Sequence, residues 1–296
     1  MEREFWSELS QAICEIADRL KDSARFAHPT ALIVRVHLWS VLHDRPTCWA
    51  CQPQSWDART RPRFLPNQST MSRRLRSNSF KEFMNQLSAR MAGRSSTNLS
   101  KCLDGKALTV ANHSTDRCAT WGRAGSGMRR GYKLHVIRSD RPMPEQWILA
   151  PLNVDERKMA RRMLKRLART DHGGGYLLAD GNYDASLVHD DAAAAGHQLL
   201  APRPRPGTGL GHRYNSPHRL RSIDMLESPA GVNPFGTILY ARRRQVERDF
   251  GNLSSFGGGL TTLPPWVRGM RRVRMWVWGK LLVNAARIRC RRGVAA

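Results

Sequence analysis

The chain has 296 residues, enough for one large or two smaller domains, and its 41% hydrophobic and 25% charged residues exclude a wholly disordered polymer. Its charge is lopsided: 49 Lys+Arg against 24 Asp+Glu give a formal net charge of +25, and only eight of the cations are lysine. Such a surface attracts polyanions, so nucleic acid is the expected partner, with a basic membrane-surface or ribosome-associated protein as the alternative from charge alone.

From Met1 to Leu20 the chain carries Glu2, Glu4, Glu8, Glu15 and Asp18. A basic segment followed by an apolar one is missing there, so no secretory leader is expected. The late apolar stretch Met275–Ile288 contains Lys280 and Arg287 and is shorter than the ~20 residues of a membrane span. Six scattered cysteines make a disulfide framework an unlikely design. Together these point to a cytoplasmic, nucleoid-associated protein without a membrane partner.

Residues 1–93 show helical spacing, as in Phe5-Trp6, Ile13-Cys14, Ile16-Ala17 and Leu20, and are expected to form a helical DNA-binding domain. Cys48-Trp49-Ala50-Cys51 lacks the second ligand pair that zinc needs and is read as two core-side thiols. After Pro62 and Pro66, either Asn67 or Ser69 can cap a short helix, because their side-chain oxygens accept from free N–H groups of the first turn. That helix carries Arg73, Arg74 and Arg76 and is followed by a second, Phe80–Met91. With Ser69 it suits a helix-turn-helix recognition helix, whose first residues reach base edges; a solvated basic helix of a bundle fits equally well.

Residues 94–100 are polar and read as a linker. Strands are then expected at Lys101–Val110, Gly131–Ile137 and Gln146–Ala150, a basic helix at Asp155–Arg169, a strand at Tyr176–Ala179, a helix at Ala185–Ala195 and a strand at Gln198–Ala201. This alternation indicates an α/β domain with a mixed sheet over 101–296. Residues 202–236, rich in Pro, Gly and Arg, read as a basic insertion loop. A long helix is expected from Thr237 to about Phe256, and another from Val267 to Arg289 with Met270, Val273, Val277, Leu281 and Ile288 near one face.

Asp104 lies in the first of these strands and Asp180 closes the fourth. Carboxylates on adjacent strands suit a hard cation such as Mg²⁺, although Asp180-Gly181-Asn182-Tyr183-Asp184 is also good turn sequence. On the long helix, Tyr240, Arg243, Glu247 and residue 254 share a stripe of about 60° at 100° per residue, beside an apolar face of Val246, Phe250 and Leu253. Arg243 and Glu247 alone could be an ordinary i,i+4 pair.

The run Tyr240-x2-Arg243-x3-Glu247 resembles the signature Y-x2-R-x3-E-x6-K of the DDE transposases of bacterial insertion sequences. Leu103-Asp104-Gly105-Lys106 resembles their first Asp segment, and Leu178–Asp184 their second, D-x-x-Y-D. The resemblance covers about residues 100–290. It implies an RNase H-like mixed sheet flanked by helices, with a helical N-terminal domain. It also implies that Asp104, Asp180 and Glu247 hold two Mg²⁺ ions (Mn²⁺ as substitute) for DNA strand cleavage and strand transfer at element ends. Tyr240 and Arg243 would position the DNA end, and a dimer would form on paired ends. Asp184 is the rival for the second acid, and Asp155 a supporting group behind the ligands. One position departs: Ser254 stands where the signature has Lys, with Arg268 a better substitute than Arg248. An inactive relic that only binds DNA, or an RNase H-like nuclease, are the alternative functions.

Overall fold

A computed structural model describes residues 2–20, 27–94, 98–111, 113–125, 127–170, 173–211, 214–227, 234–256, 258–260 and 262–293. Five helices come first: α1 Glu2–Leu20, α2 Thr30–Leu42, α3 Thr47–Ala50, α4 Gln68–Arg74 and α5 Asn78–Ala92. Then follow β1 Ser100–Thr109, β2 Thr120–Ala124, β3 Gly127–Arg138, β4 Gln146–Pro151, α6 Glu156–Thr170, β5 Gly175–Leu178, α7 Ser186–Ala194 and β6 His197–Leu200. The last described elements are helical: α8 Pro217–Glu227, α9 Phe235–Ala241, α10 Arg244–Ser254 and α11 Met270–Arg291. None of these helices is long and apolar enough to cross a membrane.

The elements form two compact units, Met1–Arg94 with Leu253–Ala296, and Ser95–Asn252. The expected boundary gave 101–296 to one domain, whereas α11 packs with α1, α2 and α5. The reason is its apolar circumference. Val273, Val277 and Leu281 are buried as expected, but so are Trp276, Leu282, Val283, Ala285 and Ala286 on the other sides, while Met270 and Ile288 are only half-buried. A helix apolar all round needs partners all round. Arg289 of α11 pairs with buried Glu8 of α1, and Trp278 donates to Ser88 Oγ at 2.7 Å. Trp39 and Trp56 stack at 4.6 Å with Trp6 edge-on. Asn67, not Ser69, caps α4: its side chain accepts from the Thr70 N–H at 2.8 Å. Cys48 and Cys51 are half-buried rather than core thiols, and burial pushes Cys51 up to about 11.

In the second unit the strand order is β2-β3-β1-β5-β6, with β4 also on β3. β1 is antiparallel to β3 and parallel to β5, so this is the mixed α/β sheet expected of an RNase H-like domain. The strand β2 was not anticipated; it makes a hairpin with an N-terminal extension of β3. Leu103 and Ile137 on one face join Met159, Met163 and Leu164 of α6 and Val188 of α7 in the main core. Cys102, Leu178 and Leu200 on the other face meet Met225 of α8 and Leu239 of α9. Gly175, at φ 147°, lets β5 approach β1; a Cβ there would lie 2.0 Å from the Leu99 carbonyl oxygen.

Two expectations are corrected here. The 202–236 segment holds α8, whose Pro217 suits the first helical position and whose His218 N–H is capped by Ser216 Oγ at 3.2 Å; residues 212–213 and 228–233 lie outside the described residues. The single helix expected over 237–256 is two helices. Arg242 and Arg243 close i→i−3 bonds to Leu239 and Tyr240 at 3.1 and 2.8 Å, and this tight turn separates α9 from α10.

Candidate active site

The two central parallel strands set the geometry. Cys102 pairs with Leu178 on the last rung between β1 and β5. Two residues further along are Asp104, inside β1 opposite Val136 of β3, and Asp180, just past the end of β5, both on the face of Cys102 and Leu178, and neighbouring strands lie about 4.8 Å apart. That face is the one covered by α8 and α9. Asp104 Oδ1 accepts the Gly105 N–H at 2.7 Å. Asp180 accepts from Asn182 N at 3.0 Å and so caps the short turn Gly181–Tyr183.

Both carboxyls are pushed above the usual carboxylate range, chiefly by burial. Asp180 and Glu156 raise Asp104 further, and Glu156 raises Asp180, while Arg243 draws both back down. Arg243 sits in the turn between α9 and α10. Its guanidinium lies 3.8 Å from Asp104 Oδ2 and 3.6 Å from Glu247 Oε1. Glu247 is 66% exposed at its side chain. The turn at 242–243 therefore aims one cation between two acids carried by different elements.

Among the described residues no three His, Cys, Asp or Glu side chains gather as a metal-ligand cluster. Asp104 and Asp180 nevertheless make a suitable pair. Mg²⁺ takes one or two carboxylates and completes its shell with waters and substrate phosphate, and a dication would offset the burial, and the smaller repulsion from neighbouring acids, that raise Asp104.

A family model described as a transposase DDE domain matches residues 100–283. The chain belongs to this family. No curated protein matches it. Among solved structures, a cryo-EM piggyBac transposase synaptic complex with hairpin DNA is similar over 96% of this chain and 71% of that one, with 10% identity and a TM-score of 0.47.

Within this transposase domain the remaining expected residues have distinct fates. Asp184, the rival acid, is buried and held by Arg219 of α8 through two 2.7 Å bonds, with His189 at 3.4 Å. Despite its burial, these partners lower its carboxyl to about 2. Tyr240 spends its hydroxyl inside the protein, donating to the Ala179 carbonyl at 3.0 Å; it ties α9 to the strand end that presents Asp180. Asp155 caps α6 by accepting the Lys158 N–H at 2.9 Å. On α10, Ser254 follows Glu247 on one continuous helix and is half-buried; the side chain of Val246 lies outside those described.

The helical unit sorts the other candidates. Ser69, Arg73 and Arg76 are exposed. Arg74 is turned inward, donating to the His28 carbonyl at 3.1 Å and Thr30 Oγ1 at 3.0 Å, so it holds α2 and is not a free DNA contact. Exposed Arg268 donates to the Pro265 carbonyl at 2.7 Å.

Sequence reasoning missed three neighbours of the acids. Glu156, in the first turn of α6, pairs with Lys133 of β3 and bears on both aspartates. An acid in a helix's first turn is ordinary capping chemistry, so nothing in the sequence marks it. Lys106, two residues past Asp104, lies 5.9 Å from the Phe250 ring centroid of α10. Arg157 Nε donates to the Asn182 carbonyl at 2.8 Å and pins the Asp180 turn.

Proposed function

We propose that this protein is a transposase of the bacterial insertion-sequence type, which cuts DNA strands at element ends and joins them to target DNA. The observation that carries the reading is Asp104 and Asp180 brought together from neighbouring strands beside Arg243, within a matched transposase domain. Asp104, Asp180 and Glu247 would hold two magnesium ions, with manganese as substitute. When bound, such ions activate the attacking water or 3′-hydroxyl and stabilise the leaving oxygen of an in-line displacement at phosphorus.

The chain's own residues supply the rest. Arg243 has five donors and already lies between Asp104 and Glu247. When the acids are otherwise neutralised it is free to turn to a DNA phosphate in a bidentate contact. Tyr240 keeps Asp180 at the strand end, and Arg157 keeps its turn closed. The net charge of +25 draws in DNA, with the exposed Ser69, Arg73 and Arg76 as contacts to element ends. Two copies bridging paired ends would form the working complex.

The test is a supercoiled plasmid carrying the DNA that flanks the gene on each side, incubated with the protein and Mg²⁺. Cleavage followed by joined products supports the reading. Cleavage without joining makes the protein a nuclease on the same fold. Specific binding without cleavage makes it an inactive relic, the reading that Ser254 in the lysine position favours.

A further inference from the structure

The helical unit contains a basic cleft that none of the residues discussed so far explains. It has a volume of about 270 Å³ and is lined by α2, α3, α4 and the start of α11. Arg45, Arg271 and Arg272 stand on its wall, with Gln68, Ser72 and the 41% exposed Trp266. No Asp or Glu lines it. Among the described residues no carboxylate pairs with Arg45, Arg76, Arg271 or Arg272. Burial and the charges of Arg76 and Arg272 lower Arg271 from its ordinary value, the mark of guanidinium groups crowded together.

Two details run against local stability. Arg271 and Arg272 occupy the first turn of α11, where the helix dipole favours anions and penalises cations. A sequence that breaks such a rule without compensation marks a functional site. The second detail is on the cleft floor. His37 is 5% exposed and lines the cleft; its Nε2 lies 3.4 Å from the Met275 carbonyl, and its Nδ1 has no partner among the described residues. Burial holds this ring neutral, down to about 4.

We propose that this cleft is a DNA-strand site, in which Arg45, Arg271 and Arg272, with Arg76 close to Arg271, take backbone phosphates while Trp266 faces a base. The parts match the chemistry: crowded guanidinium groups suit phosphate oxygens, and an exposed indole suits stacking on a base. The inference rests on the reading of the protein as a DNA-processing enzyme and adds a second contact surface, on residues outside the acid site.

The experiment uses the full chain and DNA carrying 5-iodouracil. Photo-crosslinks are mapped by mass spectrometry, and affinity is measured by fluorescence anisotropy across a salt series. Arg271→Ala with Arg272→Ala should weaken binding at least tenfold and reduce the log–log salt slope by about 2, near 0.9 per phosphate contact. The Lys pair at the same positions should keep most of the slope, which shows that the fold is intact. Arg162→Ala with Arg166→Ala, exposed on α6, removes equal charge elsewhere and should weaken binding less than threefold. A crosslink should fall on Trp266 and vanish in Trp266→Ala. Equal losses from the two Ala pairs, or crosslinks confined to other segments, would overturn the cleft. Full competition by millimolar dAMP would overturn the DNA strand in favour of a free nucleotide. A plasmid-cleavage assay on the same proteins separates the two readings: crosslinking at Trp266 without cleavage keeps the cleft and loses the transposase, while cleavage indifferent to the cleft variants does the reverse.

Discussion

Asp180 and Asp184 are four residues apart in one short segment, yet they serve two different regions of the sheet unit. Asp180 lies at the strand end beside Asp104, where burial and neighbouring acids push its carboxyl up. Asp184 lies against α8, where Arg219 and His189 bring its carboxyl down to about 2. In one region Arg243 only partly offsets the acids, whose carboxyls stay raised; in the other Arg219 and His189 more than offset the burial of Asp184. The difference separates a carboxylate poised for an external cation from one that fastens two elements together.

The sharpest way to break this comparison is to exchange the roles. Asp104→Asn and Asp180→Asn should each reduce Mg²⁺-dependent plasmid nicking by on the order of 10²–10³-fold, a magnitude typical of removing an electrostatic group from a transition state. DNA binding should persist in both. A dead Asp184→Asn with an active Asp180→Asn would reverse the assignment.

Asp184→Asn should instead act on stability. Removing one partner of a buried ion pair costs about 3–5 kcal/mol, readable as a lower urea midpoint with nicking per folded molecule unchanged. The pH dependence follows with a definite sign. A folded carboxyl at about 2, against 3.8 for the free group, contributes stability that is present above pH 3.8 and lost as pH falls through 2. Arg219→Ala should abolish that acid transition.

Two buried histidines, one in each unit, extend the comparison to neutral groups. His37 and His135 are both held near 4 by burial against 6.5 in the free side chain. The unfolded chain therefore binds protons first as pH falls below 6.5, and stability drops between 6.5 and 4 by roughly 3 kcal/mol for each ring. Urea midpoints measured at pH 7, 5.5 and 4.5 should decline steadily, and His37→Gln should remove part of the slope. A flat profile would show that neither ring is kept neutral.

The smallest expected effect concerns α10. Ser254→Lys restores a cation two turns beyond Glu247, about 10 Å along the helix. A hydrogen bond to a charged group is worth ~1.5–3 kcal/mol, so cleavage of a cognate end should rise tenfold or somewhat more. If Arg268 fills the role in the natural protein, Arg268→Ala should hurt it far more than the Ser254→Lys variant. No change in any combination would mean that residue 254 does not face DNA.

Much of the sheet unit was readable in advance: α6 buries one face and shows it as a period, and Gly131–Ile137 reads as a strand although it is buried on both faces. Asp180 was readable because it follows the apolar run Tyr176–Ala179, while Asp104, inside β1, stood out through its resemblance to the family's first Asp segment. Other features depend on partners distant in sequence. Arg219 meets Asp184 across 35 residues and Lys133 meets Glu156 across 23, and no local pattern announces either pair. The α9–α10 break hides inside Arg242-Arg243-Arg244, which looks as helical as its flanks. The Ser216-Pro217 start of α8 was a legible signal that the surrounding Pro and Gly residues obscured. Arg74 resembled its exposed neighbours Arg73 and Arg76 until packing distinguished them.

The helical unit is built from both extremes of the described chain, with the whole sheet unit encoded between them. During synthesis at ~5–20 residues per second, α1, α2 and α5 leave the ribosome long before α11, about ten to thirty-five seconds later. Through that interval Val41 and Ser88 await Gly279 and Trp278 of the helix that completes their packing, while the described strands of the sheet unit are all made before it. Nascent chains of this protein should therefore present chaperones with an apolar three-helix surface that disappears only when the last turns of α11 emerge. The same ordering means that deleting residues 1–93 would not excise a self-contained DNA-binding module; it would strip α11 of its packing and leave an aggregating remainder.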